Sequence, residues 1–326
     1  MGRGWGIIGS GKIAASFAAA IVAEGDRVVA VASSSQERAD RFAAAHRIPG
    51  AYQGRDALLA DADVEVVYVA TTNERHHLDA LAAIAAGRPV VVEKPLAVTP
   101  ALAREVVAAA RAAGVFITEA MWMRVQPGFL ELQRRLARGD VGTPLTVQAD
   151  FGIVGDPDPT RRLFSAELGG GALLDVGIYP ATLAVAVLGP ATSVRATGVL
   201  AATGVDAQAV VAMTHGGSAV SAWTCSLVAE TGIEATVGGD EALLRIASPF
   251  HHPPQLELRV RERLVETVPL PGHELGLQHE VHEVQHCLDA GVLESDRIPL
   301  EASLEILDLL AEVRAQLPDG TPPPPS

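Results

Sequence analysis

The sequence predicts an α/β domain built on a parallel sheet, followed by an α+β domain whose sheet is mostly antiparallel. Short apolar runs alternate with Ala- and Leu-rich helical stretches over the first 119 residues, which is the pattern of a parallel sheet covered by helices on both faces. Several of these runs are almost continuously apolar, as expected for strands buried on both faces. After about residue 120, short β-like segments are separated by glycine turns, which favours an antiparallel sheet.

Five strands are predicted in the first domain, with helical stretches between them. They lie at residues 5–9, 27–33, 65–71, 89–93 and 115–119. Thr99 and Pro100 are of the residue types preferred at a helix N-cap and at the first helical position, so a helix is predicted to begin there.

The second domain mixes helices with short strands, and we place the boundary between residues 1–119 and residues 120–326. A helix near the C-terminus is expected to pack back on the first domain, and a proline-rich tail at 319–326 is expected to be flexible. The other predicted elements are a helix at 127–138, a strand near 145–151, an Asp-, Pro- and Arg-rich loop at 155–162, a helix opened by the glycines at 169–171, sheet segments between 191 and 270, and helices near 276–289 and 300–315.

Composition and charge exclude several classes of protein. Hydrophobic residues make up 48% and charged residues 20% of the chain, which excludes intrinsic disorder for most of it. Lys and Arg number 25 against 39 Asp and Glu, for a net charge of −14, so neither nucleic acid nor an anionic membrane is an expected partner. No apolar stretch is long enough to span a bilayer, and with no leader recognised we expect a cytoplasmic protein. Cys225 and Cys287 are the only cysteines, so both are predicted to be buried free thiols.

A glycine motif follows the first predicted strand and opens the first helix. Read as G-x-G-x-x-A, it consists of Gly9, Gly11 and Ala14. The first glycine permits a tight turn, the second lets a pyrophosphate approach the backbone, and the small third residue lets helix and strand pack closely. The alternative is a glycine-rich turn without a ligand. The helix N-terminus would hold the phosphates, and the predicted cofactor contacts here are Gly9, Ser10, Gly11, Lys12 and Ile13.

The end of the second strand bears on the choice between NAD and NADP. NAD sites usually have Asp or Glu at this point, to hold the ribose 2′-hydroxyl, whereas this chain has Ser33 and Ser34. Serine hydroxyls and the nearby Arg38 would accept a 2′-phosphate. Ser34 and Glu37 also form a capping-box pattern that needs no ligand, and both interpretations can hold together. We predict NADP, with NAD as the alternative.

Charged and polar residues follow two further strands. Glu93 and Lys94 end an otherwise apolar strand, and Thr71, Asn73 and His76 follow the strand before it. Ligands of open α/β sheets bind at the carboxyl ends of the strands, so these five residues are predicted to contact the cofactor. The alternative is that Asn73 caps the following helix and that His76 and its neighbour are solvated.

Four motifs occur in order along the chain. They are G-x-G-x-x-A from Gly9, A-T-x-N-x-x-H from Ala70, E-K-P from Glu93 and D-x-G-x-Y from Asp175. With this set, the chain resembles the glucose–fructose oxidoreductase/inositol dehydrogenase (Gfo/Idh/MocA) family over nearly its whole length. Residues 118–124 and 162–180 are most similar to the branch that contains dimeric dihydrodiol dehydrogenases and NADP-dependent D-xylose dehydrogenases.

The resemblance implies a fold and an activity. It implies that residues 1–119 form a dinucleotide-binding Rossmann domain and that residues 120–326 form an open-faced sheet domain for substrate binding and dimerisation. The implied reaction is the reversible oxidation of a secondary alcohol of a sugar, polyol or vicinal diol with NAD(P), in a homodimer. A non-catalytic NADP(H)-binding sensor on the same fold is the runner-up, but it would not need the catalytic residues.

The resemblance also implies which residues are catalytic. Lys94 matches the family's catalytic lysine, and Asp175 and Tyr179 match its paired acidic and acid/base positions, although many relatives have His in place of the tyrosine. Two departures are Thr72, where the family usually has Pro, and Ser34, where close relatives often carry Arg.

The residues themselves are consistent with these roles. Asp175 and Tyr179 are four apart on a predicted helix and so share a face. A free tyrosine has a pKa near 10, and a nearby lysine would lower it. Tyr179 would then take the hydroxyl proton as hydride leaves the same carbon, while Asp175 orients the substrate or the lysine. The alternatives are a carboxylate that complements the helix dipole and an ordinary half-buried tyrosine. The predicted apolar stripe of this helix is Leu174, Ile178, Ala181, Val185 and Leu188.

A second motif competes with this interpretation. His282, Glu283 and His286 match H-E-x-x-H, the zinc-peptidase signature. The match is short, and its histidines lie beside the apolar stripe of the helix, so we expect them to face solvent and predict no metal site. His279, at the helix start, is the member that could face a substrate. The weaker substrate candidates are Trp122, Arg124, Arg162 and His279, with the loop at 156–162 as a candidate lid.

Overall fold

The computed structural model describes residues 2–261, 263–271 and 276–318. The chain forms two compact units: the first consists of Met1–Val125 and Leu275–Leu304, and the second of Gln126–Glu274 and Glu305–Ser326. The tail predicted at residues 319–326 lies outside the described residues.

The first unit is built on a parallel sheet with the strand order β3-β2-β1-β4-β5-β6. All five predicted strands occur: β1, β2, β4, β5 and β6 lie within the ranges predicted from the apolar runs or extend them by one residue. The strand β3 was not predicted, because it is a short, half-buried edge strand without an apolar run. The bounds are β1 Gly4–Ile8, β2 Arg27–Ser33, β3 Gly50–Gln53, β4 Val66–Val69, β5 Val90–Glu93 and β6 Ile117–Ala120.

Helices cover this sheet, and one of them comes from the C-terminal part of the chain. The ring of Phe17 stacks on that of Tyr68 with centroids 3.8 Å apart, and Val281 and Val284 lie fully buried in the same core cluster. Thr99 caps its helix by accepting a hydrogen bond from the N–H of Leu102 at 3.4 Å, as predicted. The helices are α1 Lys12–Ala23, α2 Gln36–His46, α3 Arg55–Leu59, α4 His76–Ala85, α5 Pro100–Ala113 and, from the later segment, α8 Gln278–Ala290.

The second unit contains an eight-stranded sheet with the order β14-β13-β12-β11-β7-β10-β9-β8. All neighbouring strands are antiparallel except β7 and β10, which are parallel. The predicted two-part α/β and α+β architecture is therefore confirmed. The bounds are β7 Pro144–Gly152, β8 Ala191–Leu200, β9 Asp206–His215, β10 Val220–Ser226, β11 Ala235–Gly239, β12 Leu243–Ile246, β13 Gln255–Val260 and β14 Arg263–Pro269.

Two helices of this unit, α6 (Pro127–Arg138) and α7 (Ile178–Leu188), begin close to where the sequence predicts helices, and α9 spans Leu300–Gln316. The segment before α7 differs from the prediction, because Leu173–Gly177 forms a π-helical turn. A π turn contains one more residue than an α turn and so rotates the buried face. Leu173 and Val176 are buried on this turn. Of the predicted stripe, Ile178 and Ala181 are buried, whereas Leu174, Val185 and Leu188 are half-buried, and α7 is buried at every position from 178 to 184.

Among the described residues, no helix is both long and apolar enough to cross a membrane.

Candidate functional site

The glycine loop after β1 has a backbone that only glycine fits. Gly9 has a φ of +118°, and a Cβ on it would lie 2.3 Å from the carbonyl oxygen of Ala70. Its N–H donates to the carbonyl of Ala32 at 2.9 Å. The loop is therefore pressed against the ends of β2 and β4, as the predicted tight turn requires.

The N-terminus of α1 is open. Gly11 is its N-cap, no side chain in the described part of the chain caps the helix, and its first turn contains no acid. A Cβ on Gly11 would meet none of the described atoms within 4 Å, whereas Ala14 is fully buried and keeps helix and sheet in close contact. Lys12 and Ile13 are exposed beside the loop. Uncapped N–H groups with free space before them fit a dinucleotide pyrophosphate.

The serines after β2 differ from one another in environment. Ser33 is buried, and its Oγ lies 2.8 Å from the Oγ of Ser10. Ser34 and Arg38 are exposed. The N-cap of α2 is Ser35, whose Oγ accepts from the N–H of Arg38 at 3.4 Å. The predicted capping box from Ser34 was therefore wrong by one residue, because the helix begins one position later.

The segment after β4 is held to the segment after β5 by His76. This histidine is buried, with Nδ1 2.8 Å from the carbonyl oxygen of Pro95 and Nε2 3.2 Å from that of Thr71. Burial lowers its pKa. The alternative of a solvated His76 was thus wrong, and Asn73 does not cap α4, because it is the buried first residue of a 3₁₀ turn, Asn73–Arg75.

Lys94 leaves the sheet directly after β5. It is half-buried, and its N–H donates to the carboxylate of Glu93 at 3.2 Å. Glu93 also accepts a hydrogen bond from the hydroxyl of Tyr68. The charge of Lys94 acts on His76 and on Glu119 and disfavours protonation of both, so it lies among the buried polar groups at this edge.

Two buried glutamates of the first unit were missed by sequence reasoning. Glu119 on β6 accepts from the N–H of Leu96 at 2.8 Å and from the hydroxyl of Ser303 at 2.6 Å, and burial raises its pKa. Glu280 on α8 is fully buried. Two features could have indicated these residues. Glu119 lies on a strand that is buried at every position, and Glu280 directly precedes the apolar Val281.

In the second unit, Asp175 lies on the π-helical turn and is paired with Arg162. The guanidinium Nη1 of Arg162 donates to Oδ1 of Asp175 at 2.6 Å. Asp175 is buried and Arg162 is about half exposed. The loop that leads to Arg162 is ordered locally by Asp158, which accepts from the N–H and the hydroxyl of Thr160 at 2.8 and 2.7 Å. Its predicted function as a lid stays a prediction.

Tyr179 lies in the first turn of α7, in an aromatic setting. Its ring centroid is 5.3 Å from that of Phe151 on β7 and 5.1 Å from that of His251. His251 in turn stacks on Phe151 at 4.7 Å. The sequence carried no signal for these two neighbours, because the loop with His251 is far from Tyr179 along the chain.

Asp206 anchors the π-helical turn. Its Oδ2 accepts from the N–H of Leu173 at 2.6 Å, at the point where the turn begins. Burial raises its pKa to about 6. This carboxyl therefore holds the segment that presents Asp175.

Of the four weaker substrate candidates, Trp122, Arg124 and His279 lie in the first unit, whereas Arg162 lies in the second. Trp122 and Arg124 belong to a 3₁₀ turn, Trp122–Val125, and Nε of Arg124 donates to the carbonyl of Arg297 at 2.9 Å. His279 is half-buried at the start of α8, and burial lowers its pKa.

The H-E-x-x-H residues do not converge. His282 and His286 are exposed, as predicted, while Glu283 is buried and accepts from the hydroxyl of Ser295 at 2.7 Å. Over the described parts of the chain, no three His, Cys, Asp or Glu side chains are grouped so as to hold a metal ion.

Protein-family models match segments of both units. Residues 3–121 match the oxidoreductase family with an NAD-binding Rossmann fold, and residues 129–245 match the GFO/IDH/MocA C-terminal domain. The trans-1,2-dihydrobenzene-1,2-diol dehydrogenase of Danio rerio is 35% identical over 96% of both chains, and that of Homo sapiens is 33% identical over 95% of both chains. The chain belongs to the Gfo/Idh/MocA family of oxidoreductases.

Two solved structures of oxidoreductases agree with this assignment. An NAD-binding oxidoreductase from Klebsiella pneumoniae superposes with a TM-score of 0.84 and 26% identity, covering 97% of this chain and 96% of the other. A 3-ketoreductase from Actinomadura kijaniata, solved with NADP and TDP-benzene, has a TM-score of 0.85 and 27% identity over 97% and 98% of the two chains. The family resemblance predicted from the four motifs is therefore confirmed.

Proposed function

We propose that this Gfo/Idh/MocA oxidoreductase is an NADP-preferring dehydrogenase that acts on a secondary alcohol of a sugar, polyol or vicinal diol. One observation carries the proposal. The adjacent parallel strands β1, β4 and β5 end at one edge of the sheet in the open glycine loop, the buried His76 segment and Lys94. A dinucleotide along this edge would have its pyrophosphate at Gly11, with the nicotinamide towards Lys94.

The substrate class is supported by the relatives. The curated relatives are named for the oxidation of a cyclic vicinal diol, and the solved ketoreductase is named for a reaction at a carbonyl. Both names describe the interconversion of a carbonyl and a secondary alcohol, which the bound nicotinamide would bring about by accepting or donating hydride.

The chain's own residues would handle the proton. We assign the general base to Tyr179, which would take the hydroxyl proton of the alcohol, and an activating role to Lys94, whose positive charge favours the phenolate. Asp175 would orient the substrate or the lysine, with Arg162 holding its carboxylate in place.

The preference for NADP is supported by the end of β2. Ser33 and Ser34 stand where an NAD site would have a carboxylate, and Arg38 is exposed one turn further on. A serine edge without a carboxylate does not repel a 2′-phosphate. Dissociation constants for NADPH and NADH test this assignment, and equal values would refute it.

We also propose that the protein is a homodimer and that it is located in the cytoplasm. The outward residues of β8, β9 and β10 include Val199, Val210 and Val220, which are 54%, 53% and 46% exposed, and a sheet face with such valines fits a second copy of the chain. The buried free thiols of Cys225 and Cys287 suit a reducing compartment. Sedimentation equilibrium tests the dimer, and a monomer at micromolar concentration would contradict it.

The reaction itself is tested by absorbance at the nicotinamide band with a panel of pentoses, hexoses, inositols and vicinal diols. We expect turnover with NADP and at least one member. Tight cofactor binding without turnover across the panel would instead favour the non-catalytic sensor.

A further inference from the structure

Asp79 is a buried acid that binds side chains from three segments at the carboxyl edge of the parallel sheet. It lies in the first turn of α4, and its side chain is 2% exposed. Its Oδ2 accepts from the hydroxyl of Thr71 at 2.9 Å. Its Oδ1 accepts from the guanidinium of Arg55 and, at 3.4 Å, from that of Arg75. The proposed reaction does not use this carboxylate, although ligands of open α/β sheets bind at this edge.

Thr71 connects Asp79 to the glycine loop. A Cβ on Gly9 would lie 3.1 Å from the backbone nitrogen of Thr71, so the two loops are in contact. The carbonyl oxygen of Thr71 lies 3.2 Å from Nε2 of His76, and its hydroxyl donates to Asp79. Thr71 is thus held by its backbone and by its side chain, and the side-chain contact is the one that Asp79 supplies.

Arg55 connects Asp79 to the end of β2. It is the first residue of α3 and follows Gly54, whose N–H donates to the carbonyl of Ser33 at 2.9 Å. The end of β2 is where Rossmann domains hold the adenosine ribose. Strands β2 and β4 flank β1, so Arg55 and Asp79 join the segments on both sides of the glycine loop.

The ion pair itself contributes little to stability. The side chains of Arg55 and Arg75 are 26% and 50% exposed, and ion pairs with a solvent-exposed partner add little to the free energy of unfolding. The planar guanidinium of Arg55 does, however, restrict the position of the carboxylate. Two guanidinium groups also share one carboxylate, so the cluster keeps a net positive charge, which suits a ligand that carries phosphates.

We propose that Asp79, held by Arg55, is a positioning residue for the adenosine half of the dinucleotide and acts through the hydroxyl of Thr71. This inference rests on the proposed function. The hydrogen bond from Thr71 to Asp79 keeps the loop after β4 in one conformation before the cofactor arrives. Without the carboxylate, the loop is ordered only when the cofactor binds, and the cost of ordering lowers the affinity.

Titration of the full-length protein with NADPH and with adenosine 2′,5′-bisphosphate, which represents the adenosine half alone, tests the proposal. We expect Asp79→Ala to raise both dissociation constants by about tenfold. Thr71→Val should raise both by a similar factor, and the double variant should bind no more weakly than either single variant, because the two residues act as one unit. The matched control is Asp26→Ala, at a buried aspartate that directly precedes β2 and accepts from Trp5 at 2.8 Å and from the N–H of Arg3 at 2.7 Å. It should lower the melting temperature and leave both dissociation constants unchanged.

Three results would overturn the proposal. They are unchanged affinities in Asp79→Ala, a further tenfold loss in the double variant, and an equal loss of affinity in Asp26→Ala, which would show that affinity merely follows stability. If Asp79→Ala fails to fold, Thr71→Val and Arg55→Gln decide, and unchanged binding of adenosine 2′,5′-bisphosphate by both variants would refute the proposal. A wild-type protein that binds neither NADPH nor NADH would instead refute the proposed function.

Discussion

The guanidinium of Arg162 donates to the carboxylate of Asp175 at 2.6 Å, and the two partners differ in burial, with side-chain exposures of 46% and 10%. The exposed member thus supports the buried one. Arg162 was predicted as a substrate contact, but in the structure it binds the acid next to the proposed base.

Replacing Arg162 should therefore cost stability as well as activity. Arg162→Gln removes a guanidinium that donates to a buried carboxylate, and we expect the free energy of unfolding to fall by about 1–2 kcal/mol, less than for a fully buried pair because Arg162 is half exposed. Urea denaturation measures the change. Arg161→Gln is the matched control, since that neighbouring side chain is exposed and lies 3.6 and 3.9 Å from the carboxylates of Asp156 and Asp158. Equal stability of the two variants would contradict the role of the pair.

Removal of the proposed proton-handling groups should abolish turnover without unfolding the protein. We expect Lys94→Ala and Tyr179→Phe each to lower kcat by about 100-fold or more, the usual contribution of a positioned acid or base. Stopped-flow measurement of NADPH formation, with the melting temperature recorded in parallel, checks this. His282→Ala, at an exposed histidine, should keep wild-type activity. Retained turnover in both variants would contradict the assignment of Lys94 and Tyr179 to catalysis.

The two glycines of the cofactor loop should respond differently to the same change. Gly9→Ala places a Cβ 2.3 Å from the Ala70 oxygen at a φ of +118°, so we expect a loss of about 2 kcal/mol or more of stability. Gly11→Ala meets open space and should leave the melting temperature unchanged. It should nevertheless weaken NADPH binding by about tenfold, because the methyl group occupies the approach of the pyrophosphate. Fluorescence titration and thermal melts separate the two effects, and normal NADPH affinity in Gly11→Ala would place the pyrophosphate elsewhere.

Asp206 should give the protein a pH-dependent stability below neutrality. Its pKa is about 6 in the folded protein against 3.8 for an ordinary aspartate, so between these values the folded state binds more protons than the unfolded state. The free energy of unfolding is then expected to fall as pH rises from about 4 to 6, by at most about 3 kcal/mol. Below this window Asp206 is protonated in both the folded and the unfolded state and does not change the free energy of unfolding. Above it Asp206 is ionised in both states, and the loss of free energy of unfolding is complete.

Asp206→Asn tests this prediction, because asparagine still accepts from the N–H of Leu173 but cannot ionise. Urea unfolding at a series of pH values should show a smaller fall between pH 4 and 6 in this variant than in the wild type. Asp240→Asn serves as the control, since the exposed Asp240 also accepts a backbone hydrogen bond, from Thr143 at 2.7 Å. An unchanged pH dependence in Asp206→Asn would show that Asp206 is not the responsible group.

Features encoded within a few consecutive residues were predictable. The glycine loop before α1, the cap at Thr99 and the apolar runs of β4 and β5 occur where the sequence places them. The errors arose where neighbours distant along the chain decide the outcome. His76 is buried where carbonyl groups from two loops bind it, and α7 is buried at every position from 178 to 184 rather than along the single stripe that an α-helical period had assigned.

The amino-acid pattern by itself determined the two-part architecture, the family and the identity of the lysine, aspartate and tyrosine that we assign to catalysis. Periodicity and motif spacing are local properties, so they can be recognised without a fold. Only the tertiary structure showed that Arg162 donates to Asp175, that Asp206 anchors the turn that carries Asp175, and that Glu280 is fully buried. These relationships depend on side chains that are brought together by chain folding, and their burial, which sets their charge, has no counterpart in the linear sequence.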